Sequence, residues 1–189
     1  IYIEDGRIEL VSGSYAQPFL FPNLGESVIR QLQIGKEVIK NVFNYDVVTY
    51  AVQEPCFTSQ LPQILNGLEY KHAVLKNHWC LYGNPPSINE DKVWWRGPDG
   101  SVIETSPRYS VQAIWDYFLR TYPTYTFLED CQDANIKNPI TFRLEDFNTR
   151  YIPWFNEQDI LQKTPSWLKF TTWRDYFNET PEPTHYWNI

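Results

Sequence analysis

The tightest constraint on the fold lies between Val47 and Lys76. Val47-Val48-Thr49-Tyr50-Ala51-Val52 is a β-branched and aromatic run of strand type. Gln53-Glu54-Pro55 then turns the chain, and Ser59 to Leu65 reads as a short helix with Thr58 as N-cap and Gly67 as its stop. His72-Ala73-Val74-Leu75-Lys76 reads as the next strand. Strand, helix and strand in so short a space form a crossover unit, and crossovers join parallel strands. Glu54 therefore falls where a strand hands over to a helix, the end of an α/β sheet at which chemistry is placed. A carboxylate there, followed by a proline that fixes the turn, is the leading catalytic candidate; the plainer reading is an ordinary loop glutamate.

The rest of the chain extends this alternation. Ile8 to Ser12 suggests a strand, and Gly13 to Pro18 the loop leaving it. A helix follows Pro22-Asn23, with Glu26 in its first turn, Val28, Leu32, Val38 (or Ile39) and Val42 at helical spacing, and Asn44 at its end. Val93-Trp94-Trp95-Arg96, Gly97-Pro98-Asp99-Gly100 and Ser101 to Thr105 spell strand, tight turn and strand. Val111 to Leu119 carries a helical stripe, and Thr124 to Leu128 reads as a strand with Glu129, Asp130 and Asp133 at its exit. Glu157 to Gln162 looks helical, Trp167 to Thr171 is a last strand, and a short helix starts at Thr172. The tail from Glu179 shows little pattern. Strands alternating with helices predict an α/β architecture with parallel strands, and polar residues at the strand exits favour a barrel-type arrangement. No strand is followed by a Gly-rich phosphate fingerprint, so a nucleotide-binding fold has no support.

Composition narrows the function classes. The chain has 189 residues, enough for one domain with a core but short for a complete barrel enzyme. Its 16 basic and 23 acidic residues give a net charge of −7, which argues against a nucleic-acid surface. No apolar window is long enough to span a bilayer and no basic-then-apolar leader opens the chain, so it reads as soluble, its compartment left open with periplasmic or secreted among the alternatives. Cys56, Cys80 and Cys131 lack metal-ligand spacing. Aromatic residues make up 17%, including 8 Trp and 13 Tyr, whose faces stack on sugar rings as well as pack in cores. Met is absent and Ile1 opens the chain, so the expectation is a processed, truncated or internal piece.

Several stretches, in this order, resemble the N-terminal catalytic domain of family-38 glycoside hydrolases, the retaining α-mannosidases. Ile8-Glu9-Leu10-Val11-Ser12-Gly13-Ser14-Tyr15 is similar to the strand that ends in a Gly-Gly-Trp-type loop, and Gly25 to Leu32 to the helix that follows. Gln60-Leu61-Pro62-Gln63-Ile64-Leu65 resembles the segment after the catalytic turn. Trp94-Trp95-Arg96-Gly97-Pro98-Asp99-Gly100-Ser101 looks like the family's Trp-x-Gly-Pro-Asp-Gly-Ser hairpin, and Lys169 to Phe177 is a weaker match to the end of the domain. The resemblance implies part of a (β/α)7-type barrel with parallel strands. Residues 1–189 would be a single domain, an incomplete piece of that barrel, with a carbohydrate substrate and the remaining segments of a parent chain as its partners.

The resemblance also implies a site. The family's aspartate nucleophile falls on Gln53, which is neither nucleophile nor anion, and Glu54, one residue on, takes that role. A retaining mechanism needs a second carboxyl, protonated at the start, and Glu129 and Asp130 are its candidates; the plainer reading of that pair is a solvated acidic loop. Tyr15, Gln17, Gln53, His78, Trp79 and Trp95 are the candidate substrate contacts, with Trp94 a further stacking ring. For His78 the favoured reading is a satisfied histidine at the rim, and one of the adjacent tryptophans must face the core. The family implies zinc or another divalent metal held by a His-x-Asp pair and a later His. No His-x-Asp exists here, so the ligand set is incomplete. Two functions stay open: hydrolysis of α-linked mannosides or related glycans, and a non-catalytic carbohydrate-binding member of the same fold. A polysaccharide deacetylase would need a His/Asp metal set that the chain also lacks.

Overall fold

The computed structural model describes residues 2–17, 19–20, 22–52, 58–76, 86–111, 125–141 and 168–188. Helix α1 spans Gly25–Phe43 and ends as expected, with Asn44 in the left-handed conformation (φ 50°) donating its N–H to the Lys40 carbonyl. Val28 and Leu32 bury its inner face, whereas Val38 and Val42, expected on the same stripe, are 41% and 66% exposed. Ile39, the alternative to Val38 at that spacing, packs partly buried against the core instead.

Strand β1 (Thr49–Ala51) leads through α2 (Leu61–Gly67) to β2 (His72–Val74), and β1 pairs with β2 in parallel, as the crossover unit requires. Thr58 is not the N-cap of α2: Gln60 holds that place without a side-chain bond, and the Thr58 carbonyl accepts from the Leu61 N–H. Pro62 explains the shift, since proline is tolerated in the first helical turn, where an N–H is unpaired anyway.

Strands β3 (Val93–Arg96) and β4 (Val102–Ser106) form the expected antiparallel hairpin. Gly97 N–H donates to the Ser101 carbonyl at 2.8 Å, Gly100 takes φ 89°, and the Asp99 carboxylate accepts from the Ser101 N–H at 3.1 Å. Strand β4 runs parallel to β2, so the five-stranded sheet has the order β1-β2-β4-β3-β5. Strand β5 (Tyr186–Asn188), parallel to β3, lies in the tail that showed little pattern.

Three expected strands change. Residues 8–12 form no regular strand; Ser12 alone donates to the Thr49 carbonyl, at 2.9 Å, before Ser12 and Gly13 both turn to positive φ. Tyr125–Asp133 is a helix, α3, in place of the strand at Thr124 to Leu128. Phe127 and Cys131, four residues apart, are buried together with Tyr109 and Ile136, so a helical period outweighs the strand propensity of Tyr125, Thr126 and Phe127. Residues 168–172 are irregular ahead of helix α4 (Trp173–Glu179), where Thr172 caps by accepting from the Asp175 N–H at 3.2 Å. The helices expected at Val111 to Leu119 and Glu157 to Gln162 lie almost wholly outside the described residues.

The sheet carries a different layer on each face. Tyr50, Ala73, Leu75, Ile103 and Trp95 pack on one side with Val28 and Leu32 of α1 and Leu61 and Leu65 of α2. Ala51 and Val74 pack on the other with Tyr176 and Phe177 of α4. Alternation along each strand produces this division, because neighbouring residues point to opposite faces.

Candidate functional site

Parallel pairing brings the carboxyl ends of β1, β2 and β4 to one edge of the sheet. The registers align Thr49, His72 and Glu104 in one row and Ala51, Val74 and Ser106 in the next, on the face covered by α4. The described chain continues a short way beyond two of those ends. Beyond β2 comes Lys76, and beyond β4 comes Tyr109.

Lys76 is 1% exposed, and its Nζ lies 2.9 Å from the centroid of the Tyr109 ring. It has no hydrogen-bond partner among the described residues, and neither has the buried Ser106 Oγ. Burial holds the Lys76 amine well below the usual lysine range, although Cys131 and the Asp91 carboxylate pull the other way. Burial likewise raises the Cys131 thiol to about 11, against a smaller opposing pull from Lys76. Asp91 is already engaged: its carboxylate accepts from the Asn138 N–H at 2.6 Å and the Lys137 N–H at 3.3 Å. An amine with only a ring face for company lacks the acceptor that buried polar groups normally have.

The row below holds a buried charge cluster, although Thr49 Oγ1 in it has no hydrogen-bond partner among the described residues. Glu104 pairs with Lys92 Nζ at 2.5 Å and with His72 Nδ1 at 3.3 Å, and all three are buried. Burial pushes the Glu104 carboxyl up, but hydrogen bonds and charge from His72 and Lys92 outweigh it, and the net shift is downward. Lys92 Nζ also donates to the carbonyls of Phe177 (3.0 Å) and Thr180 (3.1 Å), placing a cation at the carboxyl end of α4. At the other end of α4, the Glu9 carboxylate accepts from the Arg174 N–H at 2.8 Å. This row can hold α4 over the sheet; it offers no protonated carboxyl for acid catalysis.

Of the residues expected at the site, Glu54, Gln53, His78 and Trp79 lie outside the described residues. Glu129 and Asp130 do not stand at a strand exit: both sit exposed on α3, because the segment is helical. Tyr15 is 66% exposed on the loop after Gly13, which Gln31 of α1 anchors by accepting the Tyr15 and Ala16 N–H groups at 2.9 Å each. Gln17 is exposed on the same loop. Trp95 is fully buried, with Trp187 at 6.2 Å between ring centroids, so it serves the outer core and presents no face to a sugar. Its neighbour Trp94 is half-buried on the opposite face.

Lys76, Ser106, Glu104 and Lys92 were not singled out from the sequence. The spacing of His72, Val74 and Lys76 at alternate positions carried a signal, since it puts two ionisable groups on one strand face, but nothing in the sequence pairs that face with β4. Among the described residues, no group of three His, Cys, Asp or Glu side chains comes together as a metal site. His72 with Glu104 and His185 with Glu90 each bring together only two such groups, and the first pair has the Lys92 ammonium as its cation, so the described residues do not fit the zinc that the resemblance implied.

Comparison with known proteins bears on these strand ends. No curated protein matches the chain. Among solved structures, it is similar to the crystal structure of 4-alpha-glucanotransferase from Thermococcus litoralis, with 15% sequence identity and a TM-score of 0.67. The likeness covers 98% of this chain and 30% of that one, so the chain spans less than a third of the length of that relative. At such identity the likeness speaks to fold, and with the parallel core of β1, β2 and β4 it bears out the α/β class, part of a (β/α)7-type barrel. No helix among the described residues is long and apolar enough to cross a membrane. The model of the glycosyl hydrolases family 38 N-terminal domain matches residues 1–180, and the chain belongs to that family.

Proposed function

We propose that the chain is part of a retaining glycoside hydrolase acting on α-linked mannosides or related glycans. The observation that carries this reading is the family match over residues 1–180, which spans the parallel unit β1-α2-β2 and the hairpin β3-β4. Glu54 is the proposed nucleophile. It follows β1 in the chain, next to Pro55, at the position where a carboxylate would meet a sugar bound at the strand ends. Double displacement places the partner carboxyl about 5–5.5 Å from the nucleophile and requires it protonated in the free enzyme. Glu129 and Asp130 remain proposals for that acid; reaching the strand ends from the exposed surface of α3 would require that helix to turn inward. Zinc, or another divalent metal, remains a proposal too, with ligands supplied from outside the described residues. Tyr15 and Gln17, exposed on the loop after Gly13, are the remaining proposed contacts for the glycan.

The test is turnover of 4-nitrophenyl α-D-mannopyranoside by the wild-type protein, with and without added zinc, the anomer of the first product being read by NMR. Glu54→Gln should abolish turnover while keeping affinity for the glycoside, and the first product should retain the α configuration. Absence of turnover across a panel of aryl glycosides, with sugar binding intact, would instead favour the non-catalytic carbohydrate-binding reading. That second reading draws on one observation, Gln53 at the family's nucleophile column.

A further inference from the structure

We infer that Tyr70 and Gln31 are positioning residues, which set the loop after Gly13 so that Tyr15 meets the glycan. The inference rests on the glycoside hydrolase reading, in which Tyr15 is a glycan contact, and it concerns two residues that touch no sugar themselves. Its ground is a strained turn. Ser12 takes φ 69° and Gly13 φ 66°, and the Gly13 N–H donates to the Val11 carbonyl at 2.9 Å, closing a tight turn centred on Ser12. Glycine adopts such a backbone freely, but serine does so at a cost. Strain of this kind persists only where its surroundings over-determine it, and it clusters where proteins bind or react.

The surroundings that hold this turn come from separate parts of the chain. From the segment between α2 and β2, Tyr70 is 3% exposed, and its hydroxyl donates to the Ser12 carbonyl at 2.6 Å. Burial raises the pKa of that hydroxyl, which keeps it a donor. The Tyr70 ring is fixed in turn by Tyr50 of β1, edge-on at 6.3 Å between centroids, and by Lys36 Nζ, 4.3 Å from the ring centroid. From β1, the Thr49 carbonyl accepts the Ser12 N–H at 2.9 Å, so both backbone polar groups of Ser12 are held. From α1, the Gln31 carbonyl accepts the Tyr15 N–H and its Oε1 the Ala16 N–H, at 2.9 Å each. Gly13 has no slack, since a Cβ there would stand 3.0 Å from the Tyr70 hydroxyl oxygen. Tyr15 is thus 66% exposed on backbone fixed before and after it. An exposed ring on fixed backbone is preordered for stacking, because little freedom is left to lose when a sugar arrives.

Turnover of 4-nitrophenyl α-D-mannopyranoside, with calorimetric titration of methyl α-D-mannopyranoside, tests the pair. Tyr70→Phe removes the hydroxyl and keeps the ring, and Gln31→Ala removes the acceptor of the Ala16 N–H. Each should raise KM and weaken binding about fivefold with kcat unchanged, because a loop freed from one hydrogen bond holds its binding conformation only part of the time. In a Tyr15→Ala background neither change should weaken binding further, since both act through Tyr15. Phe177→Leu, which loosens the opposite face of the sheet, should leave KM as it is. Unchanged affinity in folded variants would overturn the inference. So would effects that add in full to that of Tyr15→Ala, or an equal rise of KM in Phe177→Leu, which marks general loosening. Should Tyr70→Phe not fold, Gln31→Ala, at a half-buried position on α1, decides alone. A wild-type protein that neither turns over nor binds the glycoside would overturn the glycoside hydrolase reading and the positioning role with it. Wild-type binding that the variants leave intact overturns the positioning role alone.

Discussion

His72 and Phe177 stack nearly parallel, with ring centroids 4.3 Å apart and 11° between their planes. One ring opens β2 and the other ends the buried face of α4, so this contact seats the helix on the sheet. It also roofs the ion pairs beneath, because His72 and Lys92 both reach Glu104. Water kept from that row leaves its charges strongly coupled.

Removing the roof should therefore cost more than its apolar area. Phe177→Ala deletes a buried ring and opens a path for water to Glu104, and a loss of about 3–5 kcal/mol is expected. Equilibrium unfolding in urea measures it. Phe177→Leu, which keeps the cover but not the stack, should recover more than half; a loss as large as that of the alanine variant would mean that the stacking itself carries the energy.

Glu104 should make the protein acid-sensitive. Its folded-state pKa lies below the ordinary value of 4.5, so its contribution is complete above that pH and is lost as pH falls through the lower folded value. Glu104→Gln should destabilise the protein by about 3 kcal/mol at pH 7, leaving Lys92 and His72 buried without their anion. Below pH 4.5 the difference between wild type and variant should shrink. Urea unfolding from pH 7 to pH 3 follows both, and a constant difference would show that Glu104 stays protonated or equally paired when unfolded.

Gly35 tests how the Tyr15 loop is held. A Cβ built there would stand 2.1 Å from the Gly13 carbonyl oxygen and 2.4 Å from the Tyr15 N. Both atoms are backbone, so Gly35→Ala must lift the loop off α1. A cost of about 1–3 kcal/mol is expected, the range for overpacking a close contact. Faster hydrogen exchange at the Tyr15 and Ala16 amides, which Gln31 now accepts, would locate the damage in the loop.

The parts of this fold that could be read in the sequence are those whose cause is local. Asn44 ends α1 because it tolerates positive φ, and Gly97-Pro98-Asp99-Gly100 closes the β3-β4 turn by its own backbone and the Asp99 side chain. The crossover β1-α2-β2 was legible for the same reason, since its spacing leaves few alternatives. Thr124 to Leu128 was misread because its aromatic and β-branched residues suit a strand, while the burial of Phe127 against Tyr109 is a tertiary fact. Strand β5 was missed because three residues behind two prolines carry no period; only pairing with β3 makes them a strand. The site divides in the same way. Glu54 stands out through its turn, but the link from His72 to Glu104 to Lys92 joins residues of β2, β4 and the approach to β3, and no single stretch shows it.

Lys76 yields the sharpest prediction about pH. Its folded-state pKa lies well below the ordinary 10.5, so between the two values the unfolded chain binds a proton that the folded one does not. Stability must then rise with pH across that window, and the penalty is largest below the folded value. Lys76→Met has no amine to titrate. At pH 7 it should be more stable than wild type by about 1–3 kcal/mol, the cost of an unsatisfied buried polar group. That advantage should fade as pH approaches 10.5, where the unfolded chain no longer takes up the proton. Chemical unfolding of both proteins from pH 6 to pH 10 provides the measurement. A methionine variant less stable than wild type at every pH would mean that the amine holds the fold together.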